Sequence, residues 1–199
     1  MPPQSFQSKP TKSWSRLLPY LGGLLLSPSL ASAATVAFKV EPDVAIPLSE
    51  PQSDLFGVGG GESMKLLVGL TPWLDIGPTA SVHLLPALDE GTESAMVWAF
   101  GGGLRIKRPH DAEGAGGISP WLDADLFYVR TGELDRPGFD AAVGLGIPVN
   151  ERRTLWVGPF VRYRQVVQTP HRDGLENRDL RMLSLGISLE VGTGIEEEE

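Results

Sequence analysis

The stretch Leu74–Leu84 reads LDIGPTASVHL, with apolar and polar residues in alternation. Successive side chains of a β-strand point to opposite faces, whereas the helical repeat would mix the two sets. The stretch therefore predicts a strand with one apolar and one polar face. The apolar face carries Leu74, Ile76, Pro78, Ala80, Val82 and Leu84.

Seven more segments show the same period of two, and each is about as long as a strand that crosses a bilayer in a tilted barrel. We expect Pro42 to disturb the first of them and a β-bulge around Glu62–Lys65 to shift the phase of the second. The sequence thus predicts eight strands. The seven further segments are Thr35–Ile46, Leu55–Leu70, Trp98–Lys107, Trp121–Thr131, Phe139–Ile147, Leu155–Tyr163 and Leu183–Val191.

The connections between these strands are rich in Pro, Gly, Asp, Asn and Ser, which favour turns. None has room for a helical crossover, so neighbouring strands run antiparallel. The prediction is an all-β fold, an eight-stranded antiparallel up-and-down β-barrel that is transmembrane. An even number of strands places both ends on one side and four loops on the other. Those loops are Pro47–Asp54, Pro86–Ser94, Gly132–Pro137 and Thr169–Asp179.

The N-terminal 33 residues have the layout of a secretory signal peptide. Residues 1–16 contain three basic residues and no acidic one, Leu17–Leu26 is apolar, and Ala31–Ala33 supplies the small residues that a signal peptidase needs. We expect cleavage after Ala33 and export of the remainder. The predicted organisation is a signal peptide at 1–33, a barrel at 34–192 and an acidic C-terminal tail at 193–199.

The composition excludes several classes of site. The chain has 199 residues and no cysteine, so a disulfide scaffold, a thiolate zinc site and a cysteine nucleophile are ruled out. A formal net charge of −8 makes nucleic acid an unfavourable partner, because binding phosphates needs clustered Lys and Arg.

Alternation alone does not decide which face of the barrel is inside, since a soluble barrel alternates as well and keeps its apolar face at the centre. Here the polar faces are small and glycine-rich, and their charges nearly cancel, which suits a narrow lumen filled by ion pairs. We therefore predict a structural network of charges in the lumen. Its members are Lys39, Glu41, Asp75, Arg105, Lys107, Asp123, Asp125, Asp140, Arg162, Arg164 and Glu190.

Aromatic residues near the strand ends favour the same orientation, because outer-membrane barrels carry aromatic girdles where the lipid meets water. On this interpretation all of the following aromatic residues face outward. They are Trp73, Trp98, Trp121, Tyr128 and Tyr163.

Four phrases carry a family resemblance: Glu41–Leu48, Gly101–Arg108, Trp121–Asp125 and Trp156–Tyr163. With the signal peptide and the eight alternating strands, they resemble the N-terminal transmembrane barrel of OmpA-type outer-membrane proteins of Gram-negative bacteria. The resemblance implies a small, largely plugged barrel with a structural, adhesive or envelope-anchoring role. The sequence differs from the family in two ways. It has no residues for a peptidoglycan-binding domain, and its last predicted strand ends at Val191 without a terminal aromatic residue.

Candidate catalytic and metal-binding residues are few. Asp123 and Asp125 share one face, where we expect them to pair with Arg162 and Arg164 rather than to act as an acid–base pair. His83 shares a face with Ser81 and Asp75, but no motif marks a nucleophile. The other histidines, His110 and His171, have no ligand spacing, and the glycine triplets at 59–61 and 101–103 lack the residues of a phosphate-binding loop.

The sequence therefore predicts a non-catalytic outer-membrane barrel with a structural or surface-interaction role in the cell envelope and no cofactor. Its expected partners are outer-membrane lipid, the barrel-insertion machinery during assembly, and a surface ligand bound through the loops. Three alternatives remain at this point: a barrel enzyme that modifies envelope lipid around His83, a small pore, and a soluble periplasmic lipocalin-like binding barrel.

Overall fold

Eight strands account for most of the chain that the computed structural model describes, namely residues 35–89, 91, 93–109, 117–131, 134–167 and 179–193. The predicted signal peptide, His110, His171 and residues 194–199 lie outside these ranges. The strands are β1 (Val36–Pro47), β2 (Gly59–Thr71), β3 (Leu74–Leu85), β4 (Ala95–Lys107), β5 (Ser119–Thr131), β6 (Leu134–Pro148), β7 (Leu155–Val166) and β8 (Leu180–Gly192).

The strands form a closed barrel in chain order, with each strand antiparallel to the next. Closure comes from β8, which pairs with β1 from Ala37 opposite Gly192 to Pro47 opposite Met182. A closed barrel leaves no edge strand with unpaired backbone groups, which is a requirement in lipid. The predicted eight-stranded antiparallel up-and-down barrel is confirmed.

Three local expectations are wrong. The alternation of β1 continues through Pro42, which lies outward opposite Glu62, and the strand runs on to Pro47. Only the ladder with β8 is interrupted there, since it pairs residues 37–40 and 43–47. The irregularity in β2 lies between Gly69 and Thr71, beside the tight turn, and not near residues 62–65. The predicted loop at 132–137 is shorter, since β6 already pairs at Leu134.

The predicted second strand is also too long at its start. Residues before Gly59 form the short helix α1 (Gln52–Leu55) and an isolated bridge between Phe56 and Ala87. In the described part of the chain no helix has the length and apolarity to cross a membrane.

The connections fall at two ends of the barrel. At the loop end β1, β3, β5 and β7 end, and the described parts of its first two connections are residues 48–58 and residues 86–89, 91, 93 and 94. At the turn end β2, β4 and β6 end. At the loop end the first two connections are held together, since Leu88 N donates to Leu55 O at 3.0 Å and Gly57 N to Pro86 O at 2.8 Å.

The inner and outer faces separate as the period of two predicts, with charge inside. Asp123 and Arg162 are each 1% exposed within the barrel. Outward-facing apolar residues are far more exposed, as at Phe100 (57%) and Ile187 (54%). A lipocalin-like barrel has the opposite arrangement, so the structure excludes that alternative.

The aromatic residues only partly follow the prediction. Trp73, Trp98 and Tyr128 are exposed on the outside, but Trp121 is buried inside the barrel. Trp121 is two residues before Asp123 on β5, so both side chains face inward. Its position near the strand end suggested an outward girdle residue, which is wrong.

Candidate functional site

The interior of the barrel is the best-defined candidate site, and its described side chains form two layers. The ionic layer, together with the buried cluster of Trp121, Ala142 and Phe160, fills the middle and the turn-end half. The apolar layer fills the loop-end half. The ionic layer has six basic and seven acidic residues: Lys39, Lys65, Arg105, Lys107, Arg162 and Arg164 with Glu41, Asp43, Asp75, Asp123, Asp125, Asp140 and Glu190.

All eleven residues predicted for the lumen lie in this layer. Nine are 4% exposed or less, and the side chains of Lys107 and Glu190 near the turn end reach 10% and 12%. The sequence reasoning missed Asp43 and Lys65. Continuing the alternation of β1 past Pro42, and that of β2 without a phase shift, would have found both.

The turn-end half of the ionic layer is centred on Asp123. Its Oδ2 accepts from Lys65 Nζ at 2.8 Å and from Lys39 Nζ at 3.2 Å, so β1 and β2 reach across the lumen to β5. Arg105 Nε donates to Asp123 Oδ1 at 3.1 Å, and its Nη1 to Glu190 Oε2 at 2.6 Å. Lysine and arginine from three strands thereby share one carboxylate.

Asp125 was expected to pair with an arginine, but it pairs with a lysine instead. Lys65 Nζ donates to its Oδ2 at 2.5 Å, while Asp140 faces Asp125 from the neighbouring strand and takes Arg164. The arginines lie one strand further along, beyond Asp140, which explains why their expected pairing with Asp123 and Asp125 is wrong.

The loop-end half of the ionic layer is centred on two arginines of β7. Arg162 Nη2 donates to Glu41 Oε2, and its Nη1 donates to Ser63 Oγ at 2.7 Å. Arg164 Nη2 donates to Asp140 Oδ2 at 2.8 Å. Each of these two guanidinium groups therefore donates to a carboxylate and to a serine hydroxyl, Ser63 for Arg162 and Ser81 for Arg164. Buried charge is tolerated when it is paired and hydrogen-bonded in this way.

His83 lies at the boundary of the two layers with both ring nitrogens engaged. Its Nδ1 is 3.2 Å from Arg164 Nη1 and its Nε2 is 3.2 Å from Asp43 Oδ2. An arginine only donates, so Nδ1 accepts and Nε2 carries the proton, which fixes the neutral tautomer. Neither nitrogen is left to accept the hydroxyl proton of Ser81, and Asp75 pairs with Lys107 instead.

The apolar layer closes the lumen toward the loop end. Most of its members are 4% exposed or less, and they come from six of the eight strands. Phe56, from the connection after α1, packs against them. Arg164 contacts this layer, with its guanidinium carbon 4.8 Å from the ring centre of Phe127. The layer consists of Ala45, Leu85, Val97, Ala99, Phe127, Val129, Val166, Leu180 and Met182.

Two glycines show why the lumen is glycine-rich. Gly61 lies opposite His83, and a Cβ at Gly61 would overlap the imidazole ring. Gly103 lies opposite Asp125, and a Cβ there would overlap its carboxylate. The glycine triplets therefore make room for large side chains of the next strand.

No group of His, Asp and Glu with the arrangement of a metal site occurs within the described ranges. The carboxylates of the ionic layer instead form ion pairs with lysine and arginine.

The outer face is an apolar band. Along β3 its outward residues run from Leu74 to Leu84 without a charge. These ten residue steps span about 34 Å along the strand, or about 26 Å in height at a tilt near 40°, close to the roughly 25 Å band of membrane barrels. The outward charges among described strand side chains, Glu62, Arg130 and Arg181, all lie toward the loop end.

Solved structures share this fold. The crystal structure of Neisserial surface protein A (NspA) aligns with a TM-score of 0.58 at 13% identity, over 78% of this chain and 96% of that one. The outer membrane protein OprG from Pseudomonas aeruginosa aligns with a TM-score of 0.50 at 9% identity, over 81% and 97%. No protein-family model and no curated protein matches the sequence. The chain has the fold of eight-stranded outer-membrane barrels.

Proposed function

We propose that this chain is a non-catalytic outer-membrane β-barrel of the OmpA type, with a structural or surface-interaction role in the cell envelope. The observation that carries the proposal is the inversion of burial, with an ionic layer inside and an apolar band outside. An outer wall of this kind is unfavourable in water, at about 25 cal/mol per Å² of apolar surface, and favourable against acyl chains. In this proposal the signal peptide at 1–33 directs export and is cleaved after Ala33.

The packed interior supports a role without catalysis. The ring nitrogens of His83 are both engaged, and the pair Asp123 and Asp125 is neutralised by lysines rather than held ready for proton transfer. Catalytic groups need access to a substrate, whereas these side chains are at most 4% exposed.

The same interior argues against a pore. Ions would have to pass the apolar layer, which brings side chains such as Phe127 and Met182 together at the loop-end half of the lumen. Below it, the ionic layer crosses the lumen from Lys39 and Lys65 to Asp123. A conducting state would require both layers to open.

The partners in this proposal are outer-membrane lipid around the barrel, the insertion machinery during assembly, and a ligand at the loop end. In this proposal the loop end lies outside the cell and the turn end lies in the periplasm. Support for a binding role comes from the backbone hydrogen bonds that join the connections at 48–58 and 86–94, since these give a loop surface fixed shape.

Membrane fractionation combined with gel migration before and after boiling tests the proposal. We expect the protein to sediment with the outer membrane and to migrate differently once boiled, because a folded barrel resists detergent at room temperature. Recovery in the soluble periplasmic fraction, with identical migration in both lanes, would contradict it.

A further inference from the structure

The apolar band contains a groove that crosses five strands, and we call it the lateral groove. One wall is a row of directly paired outward residues on β4 to β8: Ile106, Leu122, Val143, Val161 and Leu185. The other wall begins at Arg108 and continues through Pro120, Leu145 and Pro159. The groove has a volume of about 880 Å³, and its floor includes backbone at Trp121 and Gly144.

The lateral groove climbs from the rim of the barrel into the apolar band. On β4 it starts at Arg108, directly after the strand ends at Lys107. On β7 it reaches Pro159, four residues from the turn-end terminus of the strand at Leu155, and on β8 it reaches Leu185, seven residues from Gly192. Seven residues correspond to about 24 Å along a strand. One end of the groove is therefore at the level of headgroups and the other deep among acyl chains.

The rim end of the groove is positively charged. Arg108 is exposed and lines the groove, and within the described part of the chain its side chain makes no ion pair. The adjacent Lys107 differs, because its Nζ faces inward and lies 3.0 Å from Asp75 Oδ2. Arg108 is thus the cation available to a ligand at this position.

The geometry points to a phospholipid site, with the acyl chain of an anionic phospholipid in the lateral groove and its phosphate on Arg108. This inference rests on the proposed function, since it requires the outer face to contact lipid. The positive charge of Arg108 favours an anionic headgroup, because an arginine binds phosphate through charge-assisted hydrogen bonds. The apolar lining of the groove, which continues the apolar band, favours an acyl chain.

The length of the groove fits one leaflet. Crossing from β4 to β8 takes four strand spacings of about 4.8 Å, or about 19 Å across the strands. At a strand tilt near 40° this path rises about 12 Å along the membrane normal. The acyl region of a single leaflet is about 15 Å thick, half of a hydrocarbon core of about 30 Å. A chain that starts at Arg108 and follows the groove would remain within its own leaflet, on the turn-end side of the membrane.

Native mass spectrometry of the full barrel in detergent, titrated with phosphatidylglycerol, tests the site. We expect one retained phosphatidylglycerol in the wild type, and an affinity about tenfold lower in Arg108→Gln, the loss of one charge-assisted hydrogen bond. Arg152→Gln is the matched control, because Arg152 is exposed at the same end but does not line the groove. It is expected to bind as the wild type does.

A second pair of variants tests the tail. Val143→Trp fills the groove and should remove the retained lipid, whereas Val68→Trp, outward on β2 and away from the groove, should retain it. Phosphatidylcholine should bind more weakly than phosphatidylglycerol, and glycerol phosphate, which has the headgroup chemistry without the tails, should not compete.

The inference is overturned if Arg108→Gln binds phosphatidylglycerol as tightly as the wild type, or if glycerol phosphate displaces the lipid. Boiling-dependent migration is recorded for each variant, and if Val143→Trp does not fold the Arg108→Gln comparison decides. A wild type that fails fractionation contradicts the proposed function itself. A wild type that is membrane-embedded but insensitive to Arg108→Gln contradicts only the lipid site.

Discussion

The ionic layer and the apolar layer fill the same lumen but depend on the sequence in different ways. In the ionic layer each side chain has specified partners, as Arg162 has Glu41 and Ser63. In the apolar layer residues such as Met182 and Val129 contribute volume, and contacts between them have no direction. Substitutions in the first should therefore act through broken pairs, and substitutions in the second through lost packing.

The two layers also differ in how they respond to substitution. A buried ion pair adds little net stability over a well-packed apolar pair, but the loss of one partner is costly. The apolar layer tolerates exchange between side chains of similar volume. We expect the ionic layer to fix which strands face each other across the lumen and the apolar layer to close its loop-end half.

The largest expected effect is that of Arg162→Met. The substitution leaves Glu41 without its guanidinium partner inside the barrel, so we expect a loss of about 3–5 kcal/mol in the free energy of unfolding. Urea unfolding in lipid vesicles, followed by tryptophan fluorescence, measures it. The double variant Arg162→Met, Glu41→Gln should recover part of the loss, and a loss as large as in the single variant would contradict the pairing.

In the apolar layer, Met182→Ala should cost about 2–5 kcal/mol, because Met182 is fully buried and its truncation leaves a cavity. The same unfolding measurement applies. Met182→Leu, which keeps the volume, is expected to cost less than about 1.5 kcal/mol. Equal losses in the two variants would show that volume is not what the layer requires.

Ile187→Arg compares an outward arginine with the inward Arg162. Ile187 is outward on β8, toward the middle of the apolar band, so an arginine there should cost about 2–4 kcal/mol. A neutral outcome in lipid vesicles would show that this face does not contact acyl chains. Ile187→Val serves as the control and should be close to the wild type.

The smallest expected effect is that of His83→Gln, a change at the boundary of the two layers. The glutamine amide can donate to Asp43 and accept from Arg164, so we expect a change in unfolding free energy within about 1 kcal/mol. Envelope lipid composition in cells that carry the variant should equal that of the wild type. A changed lipid composition would instead favour the barrel enzyme.

The period of two predicted the fold and the two faces because alternation is a local property. Successive side chains of any strand point to opposite faces, whatever the distant strands do. Ile76 and Asp75 were assigned to opposite faces from their neighbours alone, and the structure places them so. The eleven predicted lumen residues follow from the same parity.

Details that depend on distant strands could not be predicted from the sequence. The partners of Asp123 are lysines that reach across the lumen from β1 and β2, and parity says nothing about such contacts. The apolar layer was missed because inward Val97 and Phe127 are apolar on a face expected to be polar. Trp121 was misassigned because its position near a strand end outweighed its parity.

The closure between β1 and β8 has a consequence for biogenesis. Val36 N donates to Thr193 Oγ1 across a separation of 157 residues, so the final ladder joins sequence-distant strands. Such high contact order slows folding, and until β8 arrives β1 exposes unpaired backbone. Translation can therefore finish long before the barrel closes.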